Sequence, residues 1–242
     1  KLNGDVDMQA FKNIRLDDLF MRSLELTPTA TAVICREEIV SYLELDRISN
    51  QYANYFLELG LEKNKLIILY LSRKPIFIYV TLALLKLGVQ YLPCDVEMPS
   101  AQLKLIMDST NAPVLTEQVY DSIKNCYALT DDIVLTIRRK FSGEFLDISS
   151  LHRSELAYAI YTSGSTGTPK LISCAHQSIT NFISSIIKQY HFQPNLIGSA
   201  FSSFSFDASI YEIWHLLANS GTVVIVDEHS RKDLHSFLSI IE

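Results

Sequence analysis

Leu66-Ile-Ile-Leu-Tyr-Leu71 runs six residues without a polar interruption, and the stretch behind it, Ile76 to Leu87, is nearly as apolar and is closed by Gly88. So dense a short run belongs inside a sheet, whereas the second stretch has the length and the closing glycine of a helix. Val89 to Pro93 then supplies another strand. Strand, helix and strand in that order form a βαβ unit with parallel strands.

The alternation extends both ways. Upstream, Leu16, Leu19, Phe20 and Leu24 mark an amphipathic helix stopped by Thr27-Pro28, and Thr31 to Arg36 with Ile39 to Tyr42 read as a hairpin around Glu37-Glu38. Leu45, Ile48, Tyr52, Phe56 and Leu59 trace one face of a helix ended by Gly60. Downstream, Ser100 is placed to cap a helix carrying Leu103, Ile106 and Met107, with Pro113 to Thr116 as the next strand. Residues 117 to 154 have mixed charge and weak periodicity, which predicts only edge elements and loops; Arg138-Arg-Lys140 among them reads as a solvated face. Strands then follow at Leu156 to Tyr161 and Leu171 to Ala175. After them come a helix from near Ser178 with Ile179, Phe182, Ile183, Ile186 and Ile187 on one face, and a strand near Gly198 to Ser202. A helix from about Ser209 to Ala218, the run Thr222 to Val226 and a helical end from Leu234 complete the series. The fold class is α/β, two series of alternating strands and helices with largely parallel sheets. Residues 1–15 read as a lead-in, 16–154 as a first sub-region and 155–242 as a second.

With 242 residues and 48% hydrophobic content the chain can bury a sizeable core. Its formal net charge of −6 gives no electrostatic reason to expect nucleic acid or an anionic membrane as partner. No transmembrane helix is expected, because the longest apolar stretch, Ile76 to Leu85, is about half of the roughly 20 residues a bilayer span needs. Lys1-Leu-Asn-Gly-Asp-Val-Asp7 carries no apolar signal region. Cys35, Cys94, Cys126 and Cys174 make no CxxC pair and the six histidines no HExxH motif. The thiols therefore read as reduced core residues of a cytoplasmic chain, with no metal site.

Between two of the predicted strands lies Tyr161-Thr-Ser-Gly-Ser-Thr-Gly-Thr-Pro-Lys170. Composition alone would suit a flexible linker, but the apolar runs on both sides argue for a structured loop. Gly164 and Gly167 let the backbone reach positive φ and turn consecutive N–H groups onto an anion; Thr162, Ser163, Ser165, Thr166 and Thr168 add donors, and Lys170 adds positive charge. The loop is not a Walker A sequence, since no Gly-Lys-Ser/Thr follows, and Gly164-Ser165-Thr166-Gly167 does not fit the G-x-S-x-G elbow. A strand follows it, so amides, hydroxyls and Lys170 must hold the anion without a helix N-terminus.

This loop, with Leu156-Ala157-Tyr158 before it, resembles the phosphate-binding core motif of the adenylate-forming (AMP-binding) enzymes, and among them the amino-acid adenylation domains of nonribosomal peptide synthetases. Val40-Ser41-Tyr42-Leu43-Glu44-Leu45 is similar to that family's first core motif. Leu85-Lys86-Leu87-Gly88-Val89-Gln90-Tyr91-Leu92-Pro93-Cys94-Asp95 is similar to its second, and Phe206-Asp207-Ala208-Ser209 to its fourth. Leu171 departs from the pattern, which has Gly after the loop lysine, and Ser220-Gly221 stands where Gly and a small residue are usual.

The resemblance implies a partial N-terminal core of the adenylate-forming fold, ending before the adenine and ribose motifs and part of the magnesium shell, and lacking the small C-terminal domain as a partner. It also implies the reaction: an amino-acid carboxylate attacks the α-phosphate of ATP, with Mg²⁺, and the acyl group passes to a phosphopantetheine thiol on a carrier-protein domain. Thr162, Ser163, Gly164, Ser165, Thr166, Gly167 and Lys170 would bind ATP, with Lys170, Thr162 and Thr166 acting on the reacting phosphates. Phe206, Asp207 and Tyr211 would line the amino-acid pocket, Asp207 meeting the substrate's α-ammonium and Tyr211, one helical turn on, facing the same way. Residue chemistry alone leaves Asp207 open between that role and a first-turn helix acid, although burial within the apolar run Phe201 to Trp214 would demand a cationic partner. Two rival readings are a non-catalytic nucleotide-binding or scaffolding fragment, and a stand-alone amino-acid:carrier ligase or carboxylate-reductase activating domain. Unaided, the chain is expected to be inactive and to expose sheet edge and apolar surface.

Overall fold

The computed structural model describes residues 14–63, 65–120, 125–144, 146–162 and 170–233. Helix α1 (Leu16–Leu26) buries Leu16, Leu19 and Phe20, and β1 (Thr31–Cys35) and β2 (Glu38–Ser41) form the expected antiparallel hairpin. Helix α2 (Tyr42–Glu58) starts directly after β2 because Ser41 and Glu44 make a capping box: the Ser41 hydroxyl accepts from Glu44 N–H (3.2 Å) while the Glu44 carboxylate accepts from Ser41 N–H (2.9 Å).

The βαβ unit consists of β3 (Leu66–Tyr70), α3 (Pro75–Leu87) and β4 (Gln90–Pro93), with Leu66 opposite Gln90 in a parallel ladder. Helix α3 is apolar almost all round and is buried accordingly, packed on α2, β4 and β1. It stops at Gly88, whose φ is 74° and where a β-carbon would stand 2.4 Å from Arg153 Cα. Both facts require glycine.

Helix α4 (Ser100–Thr110) corrects one expectation. Pro99, not Ser100, holds the cap position, because the fixed φ of proline turns the chain into the helix one residue before the serine. Next come β5 (Val114–Thr116), β6 (Cys126–Ala128) and α5 (Asp131–Lys140). Helix α5 lies where only edges and loops were expected; Asp131 and Asp132 in its first turn and Arg138, Arg139 and Lys140 in its last complement the helix dipole, a stabilisation that apolar periodicity does not register. The chain continues with β7 (Leu156–Thr162), β8 (Lys170–Ala175), α6 (His176–Gln189), β9 (Ile197–Ala200), α7 (Asp207–Leu217), β10 (Thr222–Ile225) and α8 (Glu228–Lys232). The helical end expected from Leu234 lies outside the described residues.

A six-stranded sheet of order β6-β5-β3-β4-β7-β8 and a four-stranded sheet of order β2-β1-β10-β9 result, parallel except at the β1–β2 and β7–β8 hairpins. Each takes strands from both sides of residue 155, since β10 pairs with β1 and β7 with β4. The boundary drawn there divides the sequence, not the sheets. Phe20, Tyr42, Tyr52, Phe56, Tyr91 and Trp214 are fully buried in the common core around α3. No helix among the described residues is long and apolar enough to cross a membrane.

Candidate functional site

Strands β7 and β8 pair in register from Tyr158 opposite Cys174 to Thr162 opposite Lys170. Thr162 and Lys170 thus face each other, both exposed, across the mouth of the hairpin. Ser163, Gly164, Ser165, Thr166 and Gly167, with Thr168 and Pro169, lie outside the described residues. Tyr161 anchors the approach to them through its hydroxyl, 2.8 Å from Ser109 Oγ on α4. Leu171 keeps regular register opposite Tyr161 and is partly exposed, so the strand accommodates a side chain where the family pattern has glycine.

The second part of the site is the segment 201–206 between β9 and α7, held from three directions. Glu212, on α7, accepts from the N–H groups of Phe201 and Ser202 (2.8 Å each) and from the Ser202 hydroxyl (2.6 Å). Asp95, at the end of the second motif, accepts from the Ser203 hydroxyl (2.7 Å). On the opposite side, Arg73 donates to the main-chain oxygens of Ala200 (2.6 Å), Ser202 (2.5 Å) and Val226 (2.9 Å), and its guanidinium lies 4.4 Å from the centre of the Phe204 ring. Burial pushes the Arg73 pKa down to about 10. The Ser209 hydroxyl closes the turn by donating to Phe206 O (2.7 Å).

Asp207 emerges from this segment as the first residue of α7, and both it and Phe206 are exposed. The expectation that a buried Asp207 would need a cation therefore does not hold: at the surface end of a helix, water solvates the carboxylate, and the helix dipole favours it. Its charge still reaches Tyr158, whose hydroxyl pKa is pushed up by burial first and then by Cys174, Tyr91 and Asp207. Tyr211, four residues on, shares its face of α7. The Tyr211 ring is half-buried, stacked at 4.3 Å on His215 and edge-on at 5.9 Å to Phe182. Phe182, expected on the buried face of α6, is exposed and serves as this flank instead.

The first and second motifs act mainly on architecture. Tyr42 donates its hydroxyl proton to Gly221 O (2.8 Å), and the buried Lys86 ammonium donates to Asp46 Oδ1 (2.6 Å), Ser49 Oγ (2.7 Å) and Asn50 Oδ1 (2.7 Å). Arg73, Glu212 and the role of Asp95 escaped sequence reasoning. The available signal was a charge set against an apolar run, Arg73 after Leu66–Leu71 and Glu212 between Tyr211 and Ile213.

A cleft of about 1150 Å³ opens at the carboxyl ends of β1, β3 and β5, bordered by Cys35, Tyr70 and Thr116, and includes none of the predicted site residues. Two ion pairs lie in its wall, Arg36 with Asp227 (2.8 Å) and Lys74 with Glu117 (3.0 Å), and Arg73 is part of its lining. Among the described residues, no group of three or more His, Cys, Asp and Glu could hold a metal ion.

A family model described as AMP-binding enzyme matches residues 20–242. Bacitracin synthase 3 of Bacillus licheniformis is 32% identical over 211 residues, covering 86% of this chain and 3% of that protein. Malpinin synthetase of Mortierella alpina is 30% identical over 230 residues, covering 94% of this chain and 3% of that protein. Among solved structures, the AMPPNP-bound form of the nonribosomal peptide synthetase FmoA3 matches with a TM-score of 0.81 at 24% identity, over 94% of this chain and 24% of that one. The chain thus spans a small part of the length of each of these proteins.

Proposed function

Because this chain belongs to the AMP-binding enzyme family, we propose that it is the N-terminal part of an amino-acid adenylation domain. The whole domain would join an amino-acid carboxylate to the α-phosphate of ATP and pass the acyl group to a carrier-protein phosphopantetheine thiol. The observation that carries this reading is the register of the β7–β8 hairpin, which makes Thr162 and Lys170 cross-strand partners at the two ends of the Gly/Ser/Thr-rich loop.

Both reactants are anions, so the residues at the hairpin must bring positive charge and hydrogen-bond donors to the phosphates. Lys170 is exposed and has no carboxylate partner among the described residues, which leaves its charge available. Thr162 supplies a hydroxyl donor beside it, and Ser163 to Gly167, with Thr166 among them, would add amides and hydroxyls. Asp207, exposed at the start of α7, accepts the α-ammonium; Phe206 and Tyr211 flank the side chain, with the Tyr211 ring held by His215 and Phe182. Among the described residues no three His, Cys, Asp or Glu side chains form a protein-only metal site, and Mg²⁺ would be held chiefly by the ATP phosphates.

The test is amino-acid-dependent exchange of labelled pyrophosphate into ATP by the full-length protein. Lys170→Ala is expected to slow exchange about 100-fold and raise the ATP requirement; an unchanged rate would remove the loop from the mechanism. Asp207→Ala is expected to abolish the preference for an amino acid over its des-amino analogue. Absence of exchange with every amino acid tried would favour the non-catalytic reading.

A further inference from the structure

Arg73 sits between β3 and α3, in a part of the chain that supplies none of the predicted pocket residues, yet two of its three hydrogen bonds end on the segment leading into α7. We propose that Arg73 is a positioning residue for Asp207, the carboxylate that meets the substrate's α-ammonium, acting through the main chain of residues 200–204 without touching the substrate. This role rests on the adenylation reading above.

The geometry is that of a peptide clamp. Ala200 O accepts from Arg73, and the N–H of the same peptide unit, on Phe201, donates to Glu212. Ser202 likewise gives its oxygen to Arg73 and its N–H to Glu212. Each group is thus oriented between a cation and an anion, and rotating the Ala200–Phe201 peptide would break two charge-assisted hydrogen bonds at once. The guanidinium carbon lies 4.4 Å from the centre of the Phe204 ring, which in turn stacks at 4.1 Å on Phe77 of α3. The segment is thereby tied to the most enclosed helix of the fold.

Arg73 is only 7% exposed, and Nε, Nη1 and Nη2 are each already engaged by a main-chain oxygen. Its nearest carboxylate, on Glu228, is 4.0 Å away and itself partly exposed, so carbonyl dipoles and the Phe204 ring do most of the work of accommodating the charge. Arginine is suited to this place because Nε, Nη1 and Nη2 each reach a different carbonyl while the cation stays against the Phe204 ring; lysine, a compact charge, can do only part of this.

The experiment compares Arg73→Lys and Phe204→Leu with the wild-type full-length protein by pyrophosphate exchange and by hydrogen exchange at residues 201–207. Arg73→Lys is expected to raise KM for the amino acid about tenfold, hold KM for ATP within about twofold, and shrink the preference over the des-amino analogue. Faster amide exchange at residues 201–207 should accompany it. Phe204→Leu, which keeps every hydrogen bond of the clamp, should move the same readouts by about threefold and decides the matter if Arg73→Lys does not fold. Equal changes in the two KM values, or unchanged protection of 201–207, overturn the role of Arg73 and leave adenylation standing. A wild-type protein that fails to exchange pyrophosphate whichever amino acid is supplied overturns the adenylation reading, and this role with it.

Discussion

Ile78 and Ile172 are the same side chain in opposite circumstances. Ile78 has no exposed surface, in a helix enclosed by α2, β4 and β1. Ile172 is 44% exposed, in β8, the last strand of the six-stranded sheet, beside Leu171 at 37%. Their neighbourhoods repeat the difference: side chains of β3, α3 and β4 are almost all buried, whereas β8, α6 and β9 present Leu171, Ile172, Phe182 and Ile197 to solvent. Strand β9, like β8, ends its sheet. Apolar character alone therefore does not say which residues stabilise this chain. Around α3 the chain covers its own apolar surface; around β8 and β9 it offers strand edge and apolar side chains together, the combination that favours association.

The largest effect is expected inside the enclosed region. Lys86→Ala leaves Asp46 and its neighbours without the ammonium they surround and should cost about 3–5 kcal/mol, read from the urea midpoint. Ile78→Ala should cost about 2–5 kcal/mol, while Ile172→Ala should stay within about 0.5 kcal/mol. Equal losses at the two isoleucines would break the comparison outright.

A pH test probes the seam joining α1 to α6, where His176 Nδ1 accepts from Leu16 N–H (2.9 Å). Burial, with Arg15 and Arg153 nearby, holds the His176 pKa down to about 3 against an ordinary 6.5. The unfolded chain takes up a proton there that the folded chain refuses, so stability should fall as pH drops from 6.5 toward 3 and should gain nothing from this group above 6.5. Urea midpoints at several pH values should show His176→Asn flattening that slope; an unaltered slope would place the titration elsewhere. The smallest stability change, about 0.5 kcal/mol or less, is expected for Ile172→Lys, which should nevertheless reduce self-association in sedimentation. Unaltered sedimentation would show that the β8 surface does not drive association.

Local signals served well where one element answers to its own residues. The βαβ unit, the β1–β2 hairpin and the end of α3 at Gly88 all follow from apolar period and turn chemistry. Helix α5 was illegible because charge at its two ends, not an apolar face, marks it, and the Ser100 cap failed because Pro99 had already set the chain direction. At the site, the four-residue spacing of Asp207 and Tyr211 is enough by itself to put them on one helical face. Their surroundings were not legible, since the exposure of Asp207 and the Phe182 flank on Tyr211 depend on how α6 and α7 meet.

Sequence alone determined most of the strands and helices, α5 excepted, and where the hydroxyl- and glycine-rich loop falls between them, because period, proline and glycine act within a few residues. Tertiary structure alone decided that β10 lies beside β1 and β7 beside β4, across the boundary at residue 155. It also decided that Arg73 meets carbonyls 127 to 153 residues away in the chain. The physical reason is the same in both cases: those acceptors converge only once two sheets have packed around α3, and no local pattern encodes a partner so distant.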